Sequence, residues 1–226
     1  MPASILVINP NSNTDVTAAM DWALNIYRTD DTPAIVCRTI AEGPAGVESQ
    51  RDSDLAAPLV SHLIANESDN FDAFVVACYS DPGVRASREL VDKPVFGIAE
   101  TALTQSIQLG RRPGVISILE AAVERHWAHA RSLKLDGFIV ADLPIGLRVK
   151  DISDEEKTSE RIVSVGRRLR DEYHAETIIL GCAGMARYRG ILTSEVGLPV
   201  IDPTQAAVGA AIVAIRQDLH ASPAPQ

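Results

Sequence analysis

The sequence predicts an α/β fold of two pseudo-symmetric lobes, each a parallel β-sheet flanked by helices, with the active site in the cleft between them. Three observations carry that prediction. Short Val- and Ile-rich runs alternate with longer helix-like stretches along the chain, which implies parallel strands joined by right-handed crossovers. A strand–Cys–turn–helix–Pro–strand pattern occurs twice. Apolar residues make up 46% of the chain but aromatics only 4%, so the core must come from Ala, Val, Ile and Leu, as in sheets buried on both faces.

In chain order, strands are expected at 5–8, 34–37, 74–77, 95–98, 115–118, 138–140, 178–180 and 200–201. Each is short and bounded by Pro, Gly, Asn or Asp. Helices are expected at 54–65, 120–132 and 154–173. The turn Asn9-Pro10-Asn11-Ser12-Asn13-Thr14-Asp15 follows the first strand. Ser12 to Asp15 resembles a capping box there, and the turn can also offer amide N–H groups to a carbonyl or enolate oxygen. Lobe boundaries are expected at 1–97 plus 204–226 for the first and 98–203 for the second. The Pro- and Ala-rich end, 221–226, is expected to be disordered.

The repeat is the more informative signal. Phe74-Val75-Val76-Ala77-Cys78 leads into Ser80-Asp81-Pro82-Gly83, a helical stretch and Pro94-Val95-Phe96-Gly97-Ile98. Ile178-Ile179-Leu180-Gly181-Cys182 leads into Ala183-Gly184-Met185, a helical stretch and Pro199-Val200-Ile201. Cys-to-Pro spacing is 16 residues in the first copy (78 to 94) and 17 in the second (182 to 199).

Several function classes drop out. Net charge is −9 with no basic stripe, which excludes a nucleic-acid surface. The apolar runs are too short to cross a bilayer, so no membrane partner is expected. Met1 leads into a strand-like run without a basic leader, and the cysteines at 37, 78 and 182 form no CxxC pair. A cytoplasmic protein with reduced thiols is therefore expected. There is no G-x-G-x-x-G, P-loop or G-x-S-x-G motif. His126 and His129 lie on one expected helix with no carboxylate completing a metal set, so a surface helix and no metal site are expected.

In parallel α/β sheets, sites form at the carboxyl ends of strands, and Cys78 and Cys182 both fall there. A following helix N-terminus lowers a thiol pKa from its ordinary value of about 8.5. Two thiols facing one another across a cleft can remove a proton from a weakly acidic carbon on one side and return one on the other. That arrangement inverts a stereocentre without a cofactor. Cys37, inside a strand-like run, reads as a small hydrophobe. Asp81 is placed to cap the helix after Cys78. Ser80 reads as a substrate contact or a turn residue, and Glu48 as part of a loop that overhangs the cleft or is solvated.

The motifs Ile8-Asn9-Pro10-Asn11-Ser12, Ala77-Cys78-Tyr79-Ser80-Asp81-Pro82-Gly83 and Leu180-Gly181-Cys182-Ala183-Gly184-Met185 resemble those of the aspartate/glutamate/hydantoin racemase superfamily. They are most similar to its hydantoin and allantoin racemase branch, from about residue 5 to 218. The resemblance implies a cofactor-independent racemase, homo-oligomeric (a dimer or higher), acting on a small cyclic ureide. It implies Cys78 and Cys182 as the acid/base pair. The ring would be held by the turn at Pro10 and Asn11, by Tyr79, Ser80, Ala183 and Gly184 after the cysteines, and by Glu48, Ser117 and Ile118. Three departures fall in that expected pocket. The branch often has Phe-Gly where this chain has Tyr79-Ser80, Ser-Ile-Glu where it has Gly46-Val47-Glu48, and paired threonines where it has Ser117-Ile118.

Two other functions fit the same residues less fully. One is a same-fold cysteine isomerase of an unsaturated, maleate-type diacid, or a decarboxylase. The other is a non-catalytic small-molecule binding protein, which would have no need of matched thiols.

Overall fold

The computed structural model describes residues 3–152 and 154–219; the expected disordered end at 221–226 lies outside them. The first sheet contains β1 (Ser4–Asn9), β2 (Ala34–Thr39), β3 (Ala73–Val76) and β4 (Val95–Gly97) in the order β2-β1-β3-β4. The second contains β5 (Pro113–Ser117), β6 (Ala141–Pro144), β7 (Thr177–Leu180) and β8 (Val200–Ile201) in the order β6-β5-β7-β8. All pairings are parallel. The two orders coincide when each strand is advanced by four, so β3 and β7, which carry the repeated cysteines, hold equivalent places.

The helices are α1 (Thr14–Ala23), α2 (Gln50–Asn66), α3 (Val84–Leu90), α4 (Ile98–Gln108), α5 (Glu120–Ser132), α6 (Glu155–Asp171), α7 (Arg189–Val196) and α8 (Pro203–Arg216). One apolar core joins both sheets, running from Ile5, Val7 and Val75 through Met20 on α1 and Ala207 and Ala211 on α8 to Ile116 and Ile178. α8 returns from the second sheet to pack on β1, β3, β4 and α4.

Four local expectations need correction. The run 138–140 is not a strand: Asp136–Phe138 is a 3₁₀ turn, and the strand follows at Ala141–Pro144. That strand carries the buried Asp142, so the apolar run and the paired segment do not coincide. The cap of α1 is Asn13, whose side chain accepts from Asp15 N, whereas the Ser12 hydroxyl turns to Pro44 O at 3.4 Å. α2 begins before the expected residue 54 because Ser49 and Asp52 form a capping box.

Asp81 does not cap α3, whose N-cap is Gly83. Its carboxylate instead accepts from Ala99 N and Glu100 N, both at 2.9 Å, and so caps α4. A Cβ on Gly97 would lie 2.2 Å from Asp81 Cγ and within 2.5 Å of both carboxylate oxygens, so only glycine lets β4 pass this close. Gly97→Ala is expected to destabilise the fold by about 2 kcal/mol, as read by urea unfolding.

Candidate active site

The sheet holds both cysteine loops by the same device. Ala77 N donates to Ile8 O at 2.8 Å, and Gly181 N donates to Ile116 O at 2.8 Å. Each bond fixes the residue before a cysteine to the neighbouring strand. A Cβ on Gly181 would stand 2.6 Å from Ile116 O, so glycine is needed for this approach. Beyond Cys78 the chain turns with Asp81 at φ +46°, and His129 Nε2 donates to Asp81 at 2.9 Å, tying the loop to α5. Beyond Cys182 a 3₁₀ turn spans Ala183–Tyr188.

Both cysteines open onto one pocket between the two sheets' strand ends. Asn11, Val16, Val47, Ala77, Tyr79, Ser80, Ile118, Ala122, Arg125, His126, Val149, Gly181 and Ala183 complete its wall. Among the residues expected from sequence, Asn11, Tyr79, Ser80, Ile118 and Ala183 are therefore brought together with Cys78 and Cys182.

The other expected contacts sit elsewhere. Pro10 is buried against the 43–44 loop. Gly184 borders a neighbouring hollow with Asn13, Asp15 and Arg187. Glu48 does not overhang freely: its Oε1 accepts from Val149 N at 2.9 Å, clamping the 46–49 loop to the other lobe. Ser117 is fully buried behind the wall. Its hydroxyl donates to Asp142, and it lies 2.9 Å from His126 Nδ1. Tyr79 borders the pocket, but its ring packs among Leu103, Val115 and Ile179 and meets His126 edge-on.

The polar groups have defined roles by elimination. Asn11 Oδ1 accepts from Asn9 Nδ2 and from Asn13 N, which leaves the Asn11 amide N–H₂ as a donor for the pocket. His126 is 6% exposed, not on a surface. Its Nδ1 donates to Asp142 Oδ2 at 2.9 Å, so in the neutral ring Nε2 is the acceptor.

Arg125, on the same buried face of α5, was not legible as a site residue. Its Nε donates to Ser80 Oγ at 3.2 Å. Because a guanidinium can only donate, Ser80 accepts there, and its own proton is free for Cys78 Sγ, 3.6 Å away.

These contacts make the two thiols unequal. Burial raises the Cys78 pKa, opposed by the Ser80 hydroxyl and N–H and by the Arg125 charge. Burial pushes Cys182 up to about 12, opposed by Gly184 N–H and reinforced by Cys78, Glu48 and Asp202. The expected lowering by helix N-termini does not prevail: α3 starts only at Val84, and desolvation of a buried thiolate outweighs the few N–H donors. Cys37 is in β2 opposite Val7 and does not line the pocket.

Asp202 caps α8, accepting from Gln205 N at 2.9 Å, while its Oδ2 is buried without a partner among the described residues. Burial raises its pKa from 3.8 to about 6, against the Gln205 and Thr204 N–H groups and Arg189. The folded state therefore favours the protonated acid, and this stability is complete below pH 3.8 and lost as pH rises through 6. Asp202→Asn keeps the capping oxygen without the charge. It is expected to raise the unfolding free energy at pH 7.5 by an amount on the order of 3 kcal/mol, with the gain vanishing below pH 4 in pH-dependent urea melts.

The fold and site define a two-lobed α/β protein in which each lobe delivers one thiol, from the end of an equivalent strand, to a shared pocket. The family model described as Asp/Glu/Hydantoin racemase matches residues 5–211, and the chain belongs to that family as an isomerase of the racemase class. It is 37% identical over 213 residues to the hydantoin racemase of Pseudomonas sp. (strain NS671), covering 90% of this chain and 82% of that one. It is 33% identical over 207 residues to the hydantoin racemase of Paenarthrobacter aurescens, covering 90% and 87%. Among solved structures, the allantoin racemase from Pseudomonas fluorescens superposes with a TM-score of 0.91 at 28% identity, covering 97% of this chain and 93% of that one. Among the described residues no helix is long and apolar enough to cross a membrane, and no His, Cys, Asp and Glu cluster is placed to hold a metal.

Proposed function

We propose that the chain racemises a 5-substituted hydantoin or allantoin, removing and returning the C5 proton with Cys78 and Cys182. The observation that carries this reading is the pair of matched thiols opening onto one pocket whose other polar groups include neutral donors and acceptors. A cyclic ureide needs such groups, because its carbonyl oxygens accept and its ring N–H groups donate.

In the forward direction one thiolate takes the C5 proton, and the electron pair moves into the adjacent carbonyl as an enolate. Asn11 N–H₂ donates to an enolate or carbonyl oxygen, and His126 Nε2 accepts a ring N–H. The opposite thiol then delivers its proton to the other face of C5, leaving a thiolate there. The adjacent carbonyl acts as the electron sink, so the chemistry calls for no cofactor. Val47 and Val149 both line the pocket, and the Val149 N–H bond to Glu48 Oε1 holds their two segments together beside the ring. Cytoplasmic residence, a homo-oligomer, and lobes bounded at 97 and 203 with α8 returning to the first belong to the same proposal.

The test is chiral chromatography of single enantiomers of 5-substituted hydantoins and of allantoin. Conversion of either enantiomer to the racemate well above the spontaneous rate is expected. Absence of conversion across the whole set would overturn the reading.

A further inference from the structure

Arg125 is 8% exposed, and a buried guanidinium normally has a counter-charge, because desolvating an unpaired ion costs several kcal/mol. Among the described residues no carboxylate forms an ion pair with it. Nε donates to Ser80 Oγ and Nη2 to Val47 O, each at 3.2 Å. Both partners line the pocket, so the guanidinium spans its wall from the Cys78 loop to the 46–49 loop. Nη1 is buried and has no partner.

The Cys78 thiolate acts on this charge through space, but a neutral cyclic ureide would bring no acceptor anion to the unpartnered Nη1. Several other wall residues, Val16, Val47, Ala77, Ile118, Ala122, Val149 and Ala183, supply no acceptor side chain.

Resting on the racemase reading above, we infer that Arg125 selects the substrate: it binds an anionic group, a carboxylate on the C5 substituent, through the free Nη1 N–H groups. A carboxylate in this position takes up the missing counter-charge in a charge-assisted hydrogen bond. It does so away from C5, so Arg125 acts on which ring is accepted as well as on the Cys78 thiolate. The substrate class is then a carboxyalkyl hydantoin in preference to an alkyl or aryl one.

The test compares kcat/KM for 5-(carboxymethyl)- and 5-(2-carboxyethyl)hydantoin with that for 5-methyl- and 5-isobutylhydantoin, in wild type, Arg125→Gln and Arg125→Lys. Wild type is expected to favour the carboxylated rings. Arg125→Gln should lower the acidic-to-neutral ratio by about tenfold to a hundredfold, the range of a hydrogen bond to a charged group, and Arg125→Lys should keep part of it. The ratio is the readout because loss of Arg125 also raises the Cys78 pKa and slows every substrate.

Equal or better use of neutral rings by wild type would overturn the inference while leaving the racemase reading intact, and this arm needs no variant to fold. A uniform loss in Arg125→Gln with an unchanged ratio would also overturn it. If no ring is racemised, the racemase reading falls, and calorimetry with 5-(2-carboxyethyl)hydantoin decides the rest. Binding that is lost in Arg125→Gln would support the anion site, and no binding to wild type would sink it.

Discussion

Cys78→Ser and Cys182→Ser are each expected to reduce racemisation by about a thousandfold, the scale of losing a general acid or base. A serine hydroxyl in the same place is too weak an acid to supply a base near neutral pH, so each variant keeps only half of the relay. The loss should be functional, because a hydroxyl replaces a sulfhydryl with little change in shape and each site has polar neighbours. Cys78 has Ser80 Oγ, and Cys182 has Gly184 N–H. Each variant should still exchange the C5 proton of the one enantiomer that presents it to the remaining thiol. Proton NMR in D₂O, one enantiomer at a time, separates this exchange from inversion. Full racemisation in either variant would remove that cysteine from the mechanism.

Inactivation by iodoacetamide is expected to accelerate steeply between pH 7 and 9. Burial raises Cys78 above the ordinary thiol value and Cys182 to about 12. Below its pKa a thiol gains thiolate tenfold per pH unit, and the thiolate is the nucleophile. The rate should therefore climb by about a hundredfold over this range. It should level only at the pKa of the more acidic cysteine. Ser80 and Arg125 favour the Cys78 thiolate, whereas Glu48 and Asp202 oppose the Cys182 thiolate, so peptide mass spectrometry should find the label on Cys78 first. A rate already flat at pH 7 would mean that a thiolate is present in the resting enzyme and that burial does not control these groups.

The fold was legible where periodicity and repetition coincide. The strands at 74–77 and 178–180, the turn after each cysteine and the proline before the next strand recur in order, and the structure gives β3 and β7 equivalent positions. Legibility failed where a polar residue interrupts a strand. Asp142 in β6 is buried for its bonds to His126 and Ser117, so the hydrophobic run at 138–140 misplaced that edge strand.

The site divided in the same way. That both cysteines would line one pocket was legible because the repeat marks them in pairs. Arg125 and His126 were not, since their pocket roles depend on Ser80, Val47, Ser117 and Asp142, residues distant in sequence and on other elements. The only local signal was the spacing of the small residues Ala122 and Ala130 on one face of α5, which marks that face as buried. The thiol pKa values were misjudged for a related reason. Sequence shows which helix follows a cysteine, but not how completely the other lobe closes over it.

The central claim, that one thiol removes the proton and the other returns one, is tested most directly by the isotope content of both enantiomers at low conversion in D₂O. One pure enantiomer of a 5-substituted hydantoin is incubated with wild-type enzyme, and residual substrate and product are separated on a chiral column and weighed by mass spectrometry, with the spontaneous exchange subtracted. The two-thiol account predicts deuterium at C5 in the product and protium in the residual substrate, because the returning thiol has equilibrated with solvent before it acts. Protium carried over into the product, or deuterium entering the residual substrate as fast as the product forms, would show a single base serving both faces and would contradict the account.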